Sequence, residues 1–137
     1  MKKIFLDTNI FIDFLTNRSE KTVGFDKILP YMNRSQIYLS ALSIHIIYYT
    51  LKIKKGTKTH RKIQEYIQLI NLIPLNQDIV NLSIQNFTKD FEDTLQYYSA
   101  LSENCNYILT RDTKDFKKIK ESINSDIEII DTLKDAI

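Results

Sequence analysis

The sequence contains few of the residues that mark several common classes of protein. Its 137 residues include one cysteine, Cys105, and two glycines, Gly24 and Gly56. A single cysteine excludes an internal disulfide and a Cys-x-x-Cys redox or zinc motif, so we expect Cys105 to be a small buried residue. Neither glycine lies in a phosphate-cradling loop, which excludes nucleotide-triphosphate and NAD enzymes of the P-loop and dinucleotide-binding designs.

Long apolar runs are also missing from the sequence. No stretch approaches the length needed to cross a bilayer, and Met-Lys-Lys is followed by a short strand-like segment containing Asp7, which does not support a signal peptide. We therefore expect no membrane contact and a cytoplasmic location. The composition, 43% hydrophobic and 26% charged, is typical of a globular protein, and the length favours one domain over residues 1–137.

Short apolar segments alternate with stretches of helical spacing. The candidate strands are residues 2–6, 36–39, 72–75, 106–110 and 127–130. Helices are predicted between the first four strands, including residues 21–33, which Pro30 should end or kink, and again at residues 132–137. Strands separated by helices pair in parallel, so we predict a three-layer α/β/α fold with a central parallel sheet of four to five strands.

Acidic residues lie near the predicted ends of strands and helices. Asp7 follows the first strand, Asp112 follows the fourth, Asp115 lies one helical turn further, and Asp93 opens the helix before the fourth strand. Open parallel sheets bind ligands beyond the carboxyl ends of their strands, so these carboxylates are candidates to converge. Taken singly, Asp7 and Asp93 are also typical of helix caps, Asp112 of a turn and Asp115 of a solvated surface.

Convergence of these carboxylates would require a compensating positive charge. Like charges at short distance raise one another's pKa and destabilise the fold unless a cation neutralises them. Oxygen ligands without clustered His or Cys favour Mg²⁺ or Mn²⁺ over zinc. A water bound to such a metal can attack a phosphodiester while the metal stabilises the developing oxyanion.

Four segments together resemble the PIN-domain ribonucleases. They are FLDTNIFIDFL, ALSIHIIYYTL, DFEDTLQYYSAL and YILTRDTKDF, in the order and at roughly the spacing of that family. The third segment is most similar to short bacterial members of the VapC-like toxin type that carry Phe-Glu-Asp. The resemblance implies a Mg²⁺- or Mn²⁺-dependent endoribonuclease with a PIN-like sheet, acting as the toxin of a toxin–antitoxin pair. It also implies an RNA substrate, a small antitoxin as partner and a homodimer.

The resemblance assigns roles to residues of these motifs. Asp7, Asp93 and Asp112 match metal-binding acidic positions, and Asp115 is a further acid of the last motif. We expect these four residues to be catalytic. Three other motif positions are expected to set the first Asp or to meet phosphate: Asn9, Thr110 and Arg111.

One position departs from the family's pattern. Many members carry Glu about where this chain has Ile46. Without that carboxylate the site loses one ligand or one acceptor next to a ligand. Glu92 is the candidate to compensate, although adjacent helical residues such as Glu92 and Asp93 point in different directions. The number of bound metals and the level of activity depend on this position.

A basic stretch without acidic residues follows the second motif. Its six cations are Lys52, Lys54, Lys55, Lys58, Arg61 and Lys62. Such a stretch is typical either of a rim that attracts RNA or an acidic inhibitor segment, or of a solvated helix end and loop. For a nuclease, it is the natural substrate rim.

Two other functions are compatible with parts of the pattern. A PIN-like module weakened by Ile46 would bind RNA or protein without cleaving it. A phosphatase of the haloacid dehalogenase type would also place an Asp after the first strand, but it needs a second Asp two residues later, where this chain has Asn9. The endoribonuclease is therefore the leading prediction.

Overall fold

Five short strands alternate with seven helices in residues 1–16 and 25–133, the part of the chain that this computed structural model describes. The strands are β1 (Ile4–Leu6), β2 (Ile37–Ser40), β3 (Asn71–Ile73), β4 (Tyr107–Leu109) and β5 (Glu128–Ile130). The helices are α1 (Thr8–Thr16), α2 (Phe25–Asn33), α3 (Ala41–Leu51), α4 (Lys58–Tyr66), α5 (Gln77–Asn86), α6 (Phe91–Ser102) and α7 (Thr113–Ile123). A short 3-10 turn, Ile67–Leu69, follows α4.

The strands form one parallel sheet in the order β3-β2-β1-β4-β5. The order reverses at β1, which pairs with β2 on one side and with β4 on the other. The chain leaves β1 toward the β3 edge of the sheet and leaves β4 toward the β5 edge. Where two connections diverge in this way, a crevice opens beyond the carboxyl ends of the two strands. The predicted parallel α/β fold is confirmed, with five strands.

Two hydrophobic cores cover the two faces of the sheet. Side chains alternate between faces along a strand. Ile4 and Leu6 therefore enter the core built with α1, α2, α3 and α4, whereas Phe5 enters the core built with α5, α6 and α7. Phe11 and Phe116 are fully buried on the first and second face. Burying each such side chain contributes about 1.5–3 kcal/mol relative to leaving it exposed, so both helical layers hold the sheet rigid.

The second helix agrees with the sequence prediction at its carboxyl end, Asn33, and contains Pro30. Within the described residues α2 begins at Phe25, and residues 21–24 of the predicted segment lie outside them. Pro30 does not end the helix, which continues to Asn33. Proline removes one backbone hydrogen bond, but Ile28 and Met32 are buried in the first core and hold the flanking turns in place.

Helix α7 joins β4 to β5 and was not assigned from the sequence. Its pattern is weak because seven of its eleven residues are Thr, Lys, Asp or Glu, and its apolar residues are single. Phe116 and Ile119 are nevertheless buried, three positions apart on one face. The predicted closing helix at residues 132–137 lies mostly outside the described residues.

Cys105 is buried as expected, and burial raises the pKa of its thiol to about 12. An uncharged buried thiol is a weak nucleophile, so Cys105 is a packing residue. Across residues 1–16 and 25–133, no helix has the length and hydrophobicity that a membrane span requires.

Candidate metal centre

Three carboxylates converge where α6 and α7 begin. One oxygen of each of Asp93, Asp112 and Asp115 lies within 4.8 Å of the other two. Asp93 is buried, Asp115 is half-buried and Asp112 is exposed, so the group is open to solvent on one side. A set of oxygen ligands with one open side is suited to a hard divalent cation that keeps bound water.

Neither Asp93 nor Asp112 uses its carboxylate as a helix cap. The side chain of Asp90 caps α6 by accepting a 3.0 Å hydrogen bond from the N–H of Asp93. Asp112 occupies the capping position of α7, but its side chain makes no capping hydrogen bond. The residue that caps α6 is therefore Asp90 and not Asp93.

Asp7 is held at the adjoining ends of β1 and β4. Its Oδ1 accepts a 2.8 Å hydrogen bond from the N–H of Thr8, and its Oδ2 accepts a 2.9 Å hydrogen bond from the hydroxyl of Thr110. The same hydroxyl oxygen accepts a 2.9 Å hydrogen bond from the N–H of Asp112. Asp7 thus satisfies the first N–H of α1 and is also linked through Thr110 to the loop that carries Asp112.

Burial and mutual repulsion both disfavour ionisation of Asp7 and Asp93. Burial raises the pKa of Asp7 to about 6, against the opposing hydrogen bonds from Thr110 and Thr8. Burial, followed by the charges of Asp90 and Asp7, raises the pKa of Asp93 to about 7. Asp7 is not in the group of three, but its charge acts on Asp93. A cation between the carboxylates would remove this penalty, so the residues present fit a bound metal.

The pKa values of two more exposed carboxyl groups, Asp112 and Glu92, are also raised. Burial, followed by a hydrogen bond with Asp115 and the charge of Asp115, raises the pKa of Asp112. Burial and the charge of Asp90 raise the pKa of Glu92. Glu92 is exposed and lies outside the group of three, although its charge contributes to the raised pKa of Asp7.

Comparison with known proteins identifies this arrangement of strands and acids. A family model described as PIN domain matches residues 3–114. The chain belongs to the PIN-domain family. It is 31% identical to ribonuclease VapC1 of Aquifex aeolicus strain VF5 over 140 aligned positions, which cover 96% of this chain and 91% of that protein. The predicted resemblance to VapC-like PIN-domain ribonucleases is confirmed.

Solved structures show that the PIN fold extends over nearly the whole chain. A toxin–antitoxin complex from Klebsiella pneumoniae has a chain 23% identical, with a TM-score of 0.64, covering 83% of this chain and 90% of that one. DNA-bound VapBC from Salmonella typhimurium has a chain 15% identical, with a TM-score of 0.66, covering 95% and 98%. At identities below 25%, this similarity shows that the proteins share a fold.

The other motif positions of this PIN domain fall in different environments. Thr110 is fully buried and orients Asp7, as described. Asn9 is exposed on α1, and the described hydrogen bonds to the Asp7 carboxylate come from Thr8 and Thr110. Arg111 directs its Nε to Asp13 Oδ2 at 3.2 Å. Its guanidinium therefore neutralises a buried carboxylate of α1 in this structure.

A buried polar network ties three helices together beside the acids. The Gln96 Nε2 donates hydrogen bonds to the Thr8 hydroxyl at 3.1 Å and to the Ser43 hydroxyl at 3.3 Å. The two hydroxyl oxygens are themselves 2.6 Å apart. Thr8 follows Asp7 in the chain, and Gln96 lies one turn after Asp93, so the network joins the helices that carry these acids. Gln96 Oε1 has no hydrogen-bond partner among the described residues.

The departure from the family's pattern lies on α3. Ile46 is half-buried, one helical turn after Ser43 of the polar network. An apolar side chain at this position adds no ligand to the centre. The described group of three carboxylates is formed by α6 and α7 without a contribution from α3.

The basic stretch begins at the far end of α3. Ser40 caps the start of α3 directly after β2, and the helix rises about 1.5 Å per residue, so Lys52 lies about 16 Å from that start. Two cations are used within the fold: Arg61 Nη1 donates to the carbonyl of Gly56 at 2.7 Å, and Lys62 Nζ donates to the carbonyl of Leu15 at 3.2 Å. An RNA-binding role of this stretch stays a prediction.

Sequence reasoning missed four residues that organise the centre. Asp90 had a local signal, because an Asp three residues before Asp93 has the spacing of a helix cap. Gln96 had the weaker signal of lying one turn after Asp93. Two residues had no local signal, because the fold brings them from distant parts of the chain: Asp13, which pairs with Arg111, and Ser43, which accepts from Gln96.

Proposed function

We propose that this PIN-domain protein is a Mg²⁺- or Mn²⁺-dependent endoribonuclease that acts in the cytoplasm as the toxin of a toxin–antitoxin pair. The observation that carries the proposal is the convergence of Asp93, Asp112 and Asp115 within 4.8 Å, beside Asp7 at the β1/β4 edge. Like charges this close favour a divalent cation, and oxygen-only ligands favour Mg²⁺ or Mn²⁺.

These residues would divide the work of phosphodiester hydrolysis. Asp7, Asp93 and Asp112 would hold the metal, with Asp115 completing the acidic set. When bound, the metal supplies an activated water and stabilises the charge that develops on the phosphate. Two hydrogen bonds orient the Asp7 carboxylate: the Thr110 hydroxyl donates to Oδ2, and the N–H of Thr8 donates to Oδ1. Their hydrogen bonds favour the ionised carboxylate that a metal needs.

The test is cleavage of RNA by the purified protein, freed of any partner, with Mg²⁺ or Mn²⁺. We expect internal cleavage that EDTA abolishes and that Asp7→Asn and Asp93→Asn reduce by at least about 100-fold, as expected for loss of a metal ligand. Asp126→Asn is the matched control, because Asp126 is an exposed aspartate just before β5, at the opposite edge of the sheet. Cleavage that persists in EDTA or in the Asp93→Asn protein contradicts the proposal.

The proposed partner is a small antitoxin that covers the acidic edge. Support comes from the relatives: the chains from Klebsiella pneumoniae and Salmonella typhimurium were crystallised in a toxin–antitoxin complex and in VapBC bound to DNA. A small reading frame next to this gene, encoding a DNA-binding protein, is the expected companion. Co-expression of the two proteins should restore growth that the PIN-domain protein alone arrests.

We also propose a homodimer. Large apolar side chains are exposed on α5 and at the start of α6, namely Leu82, Ile84, Phe87 and Phe91. Phe87 and Phe91 are in contact, with ring centroids 5.3 Å apart, and exposed apolar contacts of this kind are typical of an interface between proteins. Sedimentation or light scattering should report twice the chain mass, and Ile84→Lys should shift the protein toward the monomer.

A second candidate function rests on Ile46, the half-buried apolar residue where many PIN-domain proteins carry an acid. The chain would then be a weakened module that binds RNA or protein without efficient cleavage. Metal titration separates the two functions: RNA binding without Mn²⁺ binding at millimolar concentration favours the module. Ile46→Glu provides the complementary variant, since a restored ligand should strengthen Mn²⁺ binding.

A further inference from the structure

A cleft beside the acidic group carries charges of both signs. It lies between the loop before α6 and helix α7. Asp93 and Asp115 form part of its lining, and so do Lys89 and Lys118. The cleft thus continues directly from two of the three clustered carboxylates to two ammonium groups.

The two lysines reach the cleft from separate elements. Lys89 lies in the loop before Asp90, the capping residue of α6. Lys118 lies on α7 three residues after Asp115, a spacing that places both on one face of the helix. Both lysines are exposed, and neither has an ion-pair partner among residues 1–16 and 25–133. Their charges are therefore available to a ligand.

We propose that Lys89 and Lys118 form a binding subsite for the RNA phosphodiester group adjacent to the one that is cleaved. The inference rests on the proposed endoribonuclease function and adds a substrate contact to it. RNA carries a phosphate at every nucleotide, so the scissile phosphate has a neighbour on each side, and the cleft begins at two of the clustered carboxylates. Ammonium groups bind phosphate as point charges.

The charge distribution favours RNA over an acidic protein segment as the occupant. Carboxylates of a protein entering this cleft would face Asp90, Asp93 and Asp115 along the same wall. A nucleic acid strand would instead meet the metal proposed at Asp93 and extend its next phosphate to the lysines. Lys52, where the basic stretch begins, follows the carboxyl end of α3 and does not line this cleft.

The experiment compares Lys89→Ala, Lys118→Ala and the double variant with the unsubstituted protein. Lys117→Ala is the matched control, because Lys117 is exposed on the same helix but does not line the cleft. With a short RNA and Mn²⁺, the double variant should raise KM about tenfold with kcat within threefold. The single variant Lys118→Arg keeps the charge and should retain most of the affinity of the unsubstituted protein. Thermal unfolding should be unchanged, since both lysines are exposed.

A second measurement does not require cleavage. Each lysine that neutralises a phosphate of single-stranded RNA contributes about 0.7 to the slope of log affinity against log salt concentration. In an Asp93→Asn background, the double variant should lower that slope by about 1.4, whereas Lys117→Ala should leave it unchanged.

The outcomes separate this subsite from the function on which it rests. Unchanged KM and salt slope in the double variant, with an active parent protein, overturn the subsite and leave the nuclease intact. A lysine-dependent salt slope in a protein that cleaves no RNA supports the subsite and overturns the nuclease. Loss of antitoxin binding with unchanged RNA binding assigns the lysines to an acidic partner and overturns the proposal.

Discussion

Thr110 donates a 2.9 Å hydrogen bond from its hydroxyl to Oδ2 of Asp7, across the paired strands β4 and β1. Thr110→Val keeps the shape of this side chain and removes the bond. A hydrogen bond to a carboxylate favours its charged form, so the variant should raise the pKa of Asp7 further and weaken Mn²⁺ binding by about 10- to 100-fold at pH 7. Isothermal titration measures the effect.

Thr110→Ser is the control for this prediction, because serine retains the hydroxyl and loses one methyl group. It should bind Mn²⁺ within about threefold of the unsubstituted protein. If the Val and Ser variants bind Mn²⁺ equally well, Thr110 does not act through Asp7.

The metal-free protein should lose stability as the pH rises. Asp7 and Asp93 have pKa values raised from 3.8 to about 6 and about 7. A carboxyl group whose pKa is higher in the folded than in the unfolded chain binds more protons when folded, so its contribution to the unfolding free energy falls with pH. The fall should begin near pH 4 and be complete near pH 8. For Asp7 alone it amounts to about 3 kcal/mol.

Urea unfolding in EDTA at pH 5 and pH 8 measures this dependence, and saturating Mn²⁺ should remove most of it. Asp93→Asn isolates the contribution of one carboxyl group, because the variant should show a shallower loss between these pH values. An Asp93→Asn protein with the same pH dependence as its parent would show that Asp93 does not titrate as stated.

Arg111 should act on stability more than on substrate binding. Its Nε pairs with the buried Oδ2 of Asp13 at 3.2 Å, so Arg111→Met removes a charge partner of a carboxylate that is 1% exposed. We expect a loss of about 1–3 kcal/mol, below the range for fully buried pairs because the guanidinium is partly exposed. A double-mutant cycle with Asp13→Asn measures the coupling.

Kinetics on the folded Arg111→Met protein distinguish this role from a phosphate contact. KM for RNA should stay within threefold, as it should for Lys114→Met, an exposed lysine of α7. A KM raised tenfold or more in the Arg111 variant alone would assign its guanidinium to the substrate.

Gln96 should position two acids through the network with Thr8 and Ser43. Gln96→Leu removes both hydrogen bonds from its amide and should reduce stability by about 1–2 kcal/mol. It should also weaken Mn²⁺ binding by about tenfold, because α6 and α1 carry Asp93 and Asp7. Gln64→Leu, at an exposed position of α4, should change neither quantity. Reduced stability with unchanged Mn²⁺ affinity would make the network a packing feature only.

The centre was predictable where local pattern and topology agree. Apolar runs mark β1 and β4, and an acid follows each run, so parallel pairing alone places Asp7 and Asp112 at one edge. Asp93 and Asp115 were candidates from their places at predicted helix starts, and the family motifs supported them. Their relative positions depend on how α6 and α7 pack, which no spacing within the sequence specifies.

The rest of the site was hidden because it joins distant parts of the chain. Arg111 had the appearance of a phosphate ligand, but its partner Asp13 comes from the first helix. Lys89 and Lys118 are ordinary surface lysines in the sequence, and only the packing of a loop against α7 brings them to one cleft. The six cations at residues 52–62 were conspicuous because no acidic residue lies among them, which says nothing about where α3 ends.

The position of β1 in the middle of the sheet has a consequence for folding. Asp7 follows β1, and its hydroxyl partner Thr110 follows β4, 103 positions further along the chain. Contacts between residues so far apart in sequence form only after a large loop has closed, so the centre requires the pairing of β1 with β4. Metal affinity should therefore report completion of the sheet, and a partly folded chain in which β4 is not yet paired has no site for the ion.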